Sequence, residues 1–470
     1  MIKLRYYLFN FIIIMFKQYN QNQLQLLPPN LSDMIAEDHL ARLINHAVDG
    51  MDLSFIEQTY SPDGQHAYPP QMLLKILAYG YASGVRSSRK LADRLQEDIV
   101  CMWLAGRLTP DFRTIADFRK DKLGDFKKVF EQVLGVCFQI GLARVGKVAV
   151  DGTKIRASAS KNKAVYRVNL ARRKELIQQK VEEIIREAEK LDEEEDRLYG
   201  SSTPHRTGKK FTKEEIVKAL KKVQQERAKL EKKQRVLKAR KQDIKKKEGL
   251  MRRDRNSFVS SDPDATVMMM KEGYIAPGYN VQLATEHQVI FGYGVSSDRN
   301  DTKLLKPTVE EVKERTGRKP ETISSDSGYG TKKNYRYLKK ERIAPYIPYP
   351  SYEQERILKN KGLFTPPKQP DRELEKYKFR QRLRLQSEEG KLMMKRRRED
   401  VEPVIGNLKR NLGFRRFSLR GKRKCELELG LFSVAHNLIK IRNWVRKLAE
   451  WDDGRKKGIE LGIVLGYRTA

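Results

Sequence analysis

The sequence has few cysteines and histidines, and none of them forms a recognisable metal motif. Among 470 residues there are 3 Cys and 6 His. Cys101, Cys137 and Cys425 are widely spaced and make neither a CxxC pair nor a Cys/His ligand pattern. This argues against structural zinc and predicts a reducing, cytoplasmic compartment.

Long apolar runs are also missing. The one membrane-like run, residues 6–16 (YYLFNFIIIMF), is far shorter than the roughly 20 apolar residues of a spanning helix, so no membrane partner is expected. A signal peptide is the rival interpretation, because Lys3 and Arg5 precede the run, but no small-residue cleavage site follows it. We favour Met15 as the true start, with residues 1–14 as a non-native extension.

The signature motifs of several enzyme classes do not occur. The sequence contains no P-loop, GxSxG elbow or HExxH helix, so ATPase, esterase and zinc-protease functions have no motif support. Positive charge, by contrast, is in excess: 96 Lys plus Arg against 61 Asp plus Glu give a formal net charge of +35. Such a surplus attracts polyanions, so nucleic acid is the first partner to consider, although a ribosome-associated or merely soluble basic protein has similar charge.

Helix signals dominate the first third of the chain. Ser87 or Ser88 can cap one helix, and Pro110 suits the first position of another. Apolar side chains at helical spacing follow. We predict an all-helical N-terminal domain over residues 15–142 that serves DNA binding or dimerisation. A generic bundle fits the pattern better than a helix-turn-helix reader.

Residues 161–255 are predicted to form an inserted basic helical hairpin, an antiparallel coiled coil around a turn at residues 199–208. Its apolar residues at heptad spacing are Ile177, Val181, Ile184, Ala188, Leu191 and Leu198, then Ile216, Val223, Leu230, Leu237 and Ile244. Residues 206–255 hold 21 Lys plus Arg and 7 Asp plus Glu, whereas residues 167–198 hold 8 and 10. Lys-rich helices are usually just solvated, but the second arm is also a candidate to lie on DNA.

Strand signals surround this insertion. A β-branched strand runs to Asp151, a hairpin turns at His287, and further strands and helices alternate after residue 303. The order predicts an α/β RNase H-like catalytic domain, a mixed sheet flanked by helices, formed by residues 143–160 and 256–448. Residues 449–470 are a tail that we do not place.

Two aspartates are predicted to lie at strand ends, each next to a glycine-containing segment. Strand ends hold Asp151 and Asp326 rigidly while opening onto solvent, and the glycines let backbone approach a ligand. Each alone is equally well a turn aspartate. Three rival acids rank lower because none lies at a strand end followed by Gly: Asp264, Asp298 and Asp301.

A third acid lies in a strongly basic segment, residues 394–424. Arg398, Glu402 and Lys409 are spaced to share one helical face, and Pro403 predicts that the helix begins or kinks there, with Glu402 near its start. A carboxylate among cations is ordinarily a surface ion pair. A metal ligand flanked by phosphate-binding side chains is the competing interpretation, because phosphodiester cleavage uses two Mg²⁺ ions and these prefer oxygen ligands.

The strings VAVDGTKIRA, SSDSGYG and RxxxE followed by six residues and Lys resemble the DDE transposases of bacterial insertion sequences, in the IS4 and IS5 group. The likeness is greatest to the IS1182-type branch and covers roughly residues 15–448. SSDPDA (260–265), GYNVQ (278–282), NDTKLL (300–305) and RRFSLRGKRK (415–424) add to it. The signature's tyrosine position is Lys395 here, which puts that tyrosine's role in doubt.

The resemblance implies a DNA nuclease and strand transferase. Asp151, Asp326 and Glu402 would be its catalytic residues and would bind two Mg²⁺ ions, with Mn²⁺ as an alternative. It would cut double-stranded DNA at the inverted-repeat ends and join the 3′-OH to target DNA. A homodimer on DNA and a cytoplasmic, nucleoid-associated location in a bacterium are expected. The residues expected to contact DNA are Lys154, Arg156, Lys395, Arg398, Lys409, Arg416 and Arg420.

Two alternatives explain less. A non-catalytic DNA-binding protein with a coiled-coil arm, such as an inactive or degenerate element copy, accounts for the charge but not for the acids. A plain RNase H-like nuclease accounts for the acids but gives the basic hairpin no role.

Overall fold

The computed structural model describes residues 30–60, 67–200, 212–251, 257–365 and 371–453. The proposed extension at residues 1–14, the apolar run, most of the turn at residues 199–208 and most of the tail lie outside these ranges. Within them, no helix is long and apolar enough to cross a membrane.

The N-terminal part is helical, as predicted. Ser87 accepts a hydrogen bond from the Lys90 amide and thereby caps its helix. The expected position of Pro110 is wrong: its helix begins at Phe112, two residues after Pro110, because Asp111 is the cap and its carboxylate accepts a hydrogen bond from the Thr114 amide at 2.7 Å. The helices are α1 (Leu40–Asp49), α2 (Ser54–Glu57), α3 (Pro70–Ala82), α4 (Ser88–Glu97), α5 (Ile99–Leu104), α6 (Phe112–Asp117) and α7 (Phe126–Gln139).

A mixed sheet follows, and its central strand carries Asp151. The strands are β1 (Lys147–Arg156), β2 (Ala164–Tyr166), β3 (Ser257–Val259), β4 (Thr266–Met269), β5 (Ile275–Glu286), β6 (Val289–Ser296), β7 (Thr322–Ser325) and β8 (Ala344–Tyr346). In the main sheet β1 lies between antiparallel β5 and parallel β7, and β8 pairs with β7. Strands β4 and β6 both pair with β5, while β2 and β3 form a separate pair.

One strand prediction is wrong. Asp151 lies in the middle of β1, not at its end, because β5 continues to pair with β1 as far as Arg156. On the other side β7 pairs with β1 only from Lys147 to Val150. Asp151 is therefore the first residue of β1 beyond the β7 pairing.

Helices cover the sheet, so the predicted α/β layout of a mixed sheet flanked by helices is confirmed. Of the two alternatives predicted at Pro403, a helix start or a kink, the helix start is wrong. Ser387 caps that helix by accepting from the Gly390 amide at 3.1 Å, and Pro403 lies inside it, one turn before a π-helix over Asn407–Asn411. The helices are α10 (Leu305–Thr316), α11 (Lys332–Lys340), α12 (Tyr352–Asn360), α13 (Arg372–Gln386), α14 (Glu388–Gly406) and α15 (Lys422–Asp453).

The inserted segment forms two long helices, α8 (Arg167–Gly200) and α9 (Lys213–Leu250). They run antiparallel, because ion pairs join Lys174 to Glu248 and Lys233 to Glu187. Their contact buries Ile184, Leu230 and Leu237, three of the predicted heptad positions. The side chains of Leu198 and Ile216 lie outside the described ones.

The N-terminal helices and the main sheet share one hydrophobic core. Helix α15 connects them, since Phe432 packs edge-on against Tyr81 of α3 with ring centroids 4.8 Å apart. Nearby, Phe130 of α7 makes a similar contact with Tyr293 of β6 at 4.9 Å. The β1–β7 strand pair is thus part of a continuous, well-packed core. The predicted domain boundaries stay a prediction.

Candidate active site

The register of β1 and β7 brings two aspartates together. The strands are parallel, and Val150 is paired with Ser325, so the next residue on each chain segment is Asp151 or Asp326. The Asp151 carboxylate accepts from the Gly152 amide at 2.7 Å, and that of Asp326 from the Gly328 amide at 3.0 Å. Both aspartates therefore lie side by side where the β1–β7 pairing ends, with fixed orientations.

Their environment disfavours negative charge. Burial raises the pKa of Asp151, and the neighbouring Asp326 charge raises it further, while Lys271 opposes the shift. Burial likewise raises the pKa of Asp326, and Asp301 adds to the effect. Carboxylates crowded in this way gain from a bound cation, which stabilises their ionised form.

Asp301 joins this cluster, although the sequence ranked it as a lesser rival. Its Oδ1 accepts from Asn280 Nδ2 at 2.7 Å and from Gln282 Nε2 at 2.8 Å. The hydroxyl of Tyr329, which follows Asp326 in the SSDSGYG string, donates to Gln282 Oε1. A signal for this network exists in the sequence: Asn280 and Gln282 are polar residues two apart that alternate with the apolar Val281 and Leu283, so they share a face of the strand.

Gly152 makes room for this network. A Cβ at this position would lie 2.5 Å from Gln282 Nε2 and 2.6 Å from Asp301 Oδ1. From the sequence, Gly152 was expected to let a ligand approach the backbone. In the structure the side chains of Gln282 and Asp301 occupy that space instead.

Glu402 approaches the aspartates through an arginine. Arg397 Nη1 lies 3.6 Å from Asp151 Oδ2, and its Nη2 lies 3.4 Å from Glu402 Oε1. The Arg397 side chain is 12% exposed and that of Glu402 is 53% exposed. Sequence reasoning missed Arg397, because nothing distinguishes it from its neighbours in the run KRRR.

The donor set suits a hard divalent cation, since all of the acids offer carboxylate oxygens. Across the described residues, however, no group of three or more His, Cys, Asp or Glu side chains is arranged to hold a metal ion. Asp151 and Asp326 are neighbours, whereas Glu402 is paired with Arg397. The cluster therefore fits a metal at the two aspartates, and Glu402 joins them only if it exchanges Arg397 for the ion.

Three of the predicted DNA contacts lie where β1 ends. The backbones of Arg156 and Arg416 pair through an isolated parallel β-bridge, and Arg416 Nε donates to the Ala157 carbonyl at 3.1 Å. Arg420 Nε donates to the Ser158 carbonyl at 2.9 Å. Since Arg156, Arg416 and Arg420 are all exposed, this end of β1 presents a positively charged surface.

The remaining predicted contacts lie on α14, on β1 and in the π-helix that follows α14. Lys395 and Arg398 are exposed on α14, and Lys395 lies 3.8 Å from Glu399. Lys154 is half-buried on β1. Lys409 lies 4.0 Å from Glu272, and burial lowers the pKa of its ammonium group.

Two family models match the chain. One is described as a transposase domain (DUF772) and matches residues 29–121, within the N-terminal helices. The other, a transposase DDE domain, matches residues 264–438 and so includes Asp326 and Glu402 but not Asp151. No curated protein and no solved structure matches the chain.

Proposed function

Because this chain belongs to the DDE transposases of bacterial insertion sequences, we propose that it cuts DNA at the ends of such an element. The catalytic domain of these transposases is RNase H-like, and their chemistry depends on a divalent metal. The freed 3′-OH is then joined to target DNA. The observation that carries this proposal is the β1–β7 register, which puts Asp151 beside Asp326.

We assign the metal to Asp151 and Asp326, with Glu402 as the third ligand. A pair of Mg²⁺ ions, or Mn²⁺, would activate the attacking water or hydroxyl and stabilise the leaving oxygen. Hydrogen bonds from Asn280 and Gln282 hold Asp301, the acid beside Asp326, in place. Arg397 balances the charge of Asp151 and Glu402 and so keeps the α14 acid close to β1.

DNA is proposed to lie along the positive surface that flanks these acids. The exposed Lys395 and Arg398 lie on the same helix as Glu402, Lys154 lies on β1 with Asp151, and Lys409 lies in the π-helix that follows α14. The group at the end of β1, Arg156, Arg416 and Arg420, would contact phosphates farther away. Such contacts position the duplex without reading its sequence.

The α8–α9 pair is proposed to be a coiled-coil arm whose α9 face lies on DNA. Its apolar seam is buried, and the ion pairs between the helices, such as Arg227 with Asp192 at 3.5 Å, neutralise only part of the α9 charge. Because two element ends have to be brought together, we propose a homodimer on DNA. The domain division stated from the sequence, 15–142, 143–160 with 256–448, and 161–255, is kept as part of this proposal.

The test uses duplexes carrying the inverted repeats that bracket the gene. Asp326→Ala should abolish Mg²⁺-dependent cleavage while DNA binding is kept, because a metal ligand is lost but no phosphate contact. Asp298→Ala is the matched control, since Asp298 follows the same hairpin as Asp301 but bonds to Ser296. Cleavage by Asp326→Ala would remove this residue from the site. Binding without cleavage by the unaltered chain would favour a non-catalytic DNA-binding protein.

A further inference from the structure

A pocket of about 550 Å³ opens where the N-terminal helices meet the segment before α15. Four cationic side chains, those of Arg86, Arg89, Lys90 and Arg119, line it, and no carboxylate does. Arg86 is already paired with the buried Glu428 at 3.8 Å, just outside the lining, so Arg89, Lys90 and Arg119 supply the excess positive charge. None of these four belongs to the DNA contacts expected from the sequence. The pocket has the charge of an anion site.

Two buried polar groups that line this pocket have no hydrogen-bond partner. Ser88 is 9% exposed and Arg119 is 8% exposed, yet Ser88 Oγ and Arg119 Nε are both unsatisfied. Burying a hydroxyl or a guanidinium N–H without a partner is unfavourable, and folded proteins rarely leave such groups unsatisfied. Both groups can donate, so a ligand rich in acceptor oxygens would satisfy them together.

Arg119 also lacks a compensating acid. Its Nη1 donates to the Arg86 carbonyl at 2.8 Å and to the Tyr81 hydroxyl at 3.3 Å, and both acceptors are neutral groups. Over the ranges that the structure covers, no carboxylate comes within ion-pair distance of its guanidinium. A buried cation of this kind is stabilised by an anionic ligand.

The backbone adds to the positive potential. Helix α4 begins at Ser88 with Ser87 as its cap, so the first free amides of a ten-residue helix lie at the pocket. A helix N-terminus favours phosphate through its amides and its dipole. Arg89, in the same turn, is held over the Phe112 ring at 4.9 Å.

We propose that this pocket binds a phosphate group, and that in the working protein this is a backbone phosphate of the DNA on which the proposed function acts. The position suits such a role. Arg86 Nη1 donates to the Arg416 carbonyl at 2.7 Å, and the backbone of Arg416 pairs with that of Arg156 in a β-bridge. Asp151 lies five residues before Arg156 along β1. At about 3.3 Å per residue this separates the two residues by about 17 Å, which is close to the length of five base pairs of duplex.

The experiment measures the binding of a 30-base-pair duplex of arbitrary sequence to the full chain over a range of salt concentrations. Arg119→Met and Arg89→Gln should each weaken binding and reduce the slope of log K against log salt by about 0.9, the value for one lost phosphate contact. Ser88→Ala should weaken binding about 3- to 10-fold and leave the slope unchanged, because it removes a neutral donor. Lys340→Gln is the control, since it removes one exposed charge from α11, which does not line the pocket.

A second arm separates the two sources of phosphate. Inorganic phosphate should raise the unfolding temperature of the unaltered chain more than chloride of equal ionic strength, and Ser88→Ala and Arg119→Met should reduce that difference. If phosphate stabilises the chain but the variants bind DNA normally, the DNA assignment is wrong. Folded variants that show no change in either arm overturn the site altogether. Failure of the proposed function is distinct, because it appears as absent cleavage by the unaltered chain with these binding effects intact.

Discussion

The guanidinium of Arg397 lies 3.6 Å from the carboxylate of Asp151, so α14 is tied to β1 by opposite charges. The same guanidinium reaches Glu402 at 3.4 Å. Two acids that are proposed to share a metal are thus held near each other by a side chain of the protein. Arg397 has a second consequence: any divalent ion that binds both acids competes with it for their charge.

Arg397→Gln should therefore lower stability without metal and increase the response to metal. Removing the guanidinium leaves Asp151 without the cation that lies 3.6 Å away, and we expect a loss of about 1–2 kcal/mol, less than for a fully buried pair because Glu402 is half-exposed. The rise in unfolding temperature caused by Mg²⁺ should be larger than in the unaltered chain. Arg396→Gln, on the exposed side of α14, is the control. Equal Mg²⁺ responses in the two variants would contradict the competition.

Asp326→Asn should stabilise the metal-free protein at neutral pH. Burial and Asp301 raise the pKa of Asp326, so the folded chain binds this proton more tightly than the unfolded chain does. Stability from this group is then lost as the pH rises through the raised pKa, and the ionised carboxylate is unfavourable at pH 7. Asparagine keeps the acceptor for the Gly328 amide. The gain in unfolding temperature should shrink as the pH falls, and Asp298→Asn should show no such trend.

Gly152→Ala should disturb the acid cluster without breaking the strand. The added Cβ would lie 2.5 Å from Gln282 Nε2 and 2.6 Å from Asp301 Oδ1, so these side chains have to move. We expect a loss of about 1–3 kcal/mol, as for other overpacked sites, together with reduced cleavage. Gly294→Ala is a matched control in β6, because no atom lies within 4 Å of its Cβ. Similar unfolding temperatures for the two variants would show that the cluster tolerates the methyl group.

The sequence predicted those parts of the fold and site that depend on local patterns. Helical spacing predicted the N-terminal helices, and β-branched runs predicted the strands that carry Asp151 and Asp326. The sequence could not predict that Asp301 lies beside Asp326. This depends on the pairing of β5 with β1, which brings together residues far apart in the chain. The choice of Arg397 depends on how α14 is rotated against β1, and four consecutive cations give no sign of that rotation.

Pro403 shows a related limit. Its missing amide predicted either a helix start or a kink, but the capping residue is Ser387, and the helix continues through the proline into a π-helix. Local propensity was overridden here by packing, since Val401 and Val404 on either side of the proline are fully buried. Glu402 consequently lies near the end of α14 instead of at its start.

His436 should make the fold sensitive to mild acid. Burial lowers the pKa of His436 to about 4, and its ring nitrogens contact Asn407 Nδ2 at 2.9 Å and the Gln288 carbonyl at 2.8 Å. The unfolded chain takes up this proton near pH 6.5, so stability falls as the pH drops from about 6.5 towards 4, by up to about 3 kcal/mol. The free energy of unfolding of His436→Gln should depend less on pH between 7 and 5. The exposed His46→Gln should follow the unaltered chain; if His436→Gln does so too, His436 is not the group responsible.

Helix α9 of the coiled-coil arm offers a test of DNA contact that is independent of the acids. Lys222, Lys229 and Lys232 are exposed on this helix, and changing all three to Gln should reduce the slope of log K against log salt by about 0.9 for each phosphate contact that is lost. The buried seam is untouched, so the helical content should not change. The control replaces three exposed lysines of α11, Lys333, Lys339 and Lys340, because this removes the same charge from another surface. An effect confined to the α9 variant places DNA along the arm, whereas equal effects mean that only the net charge of the protein matters.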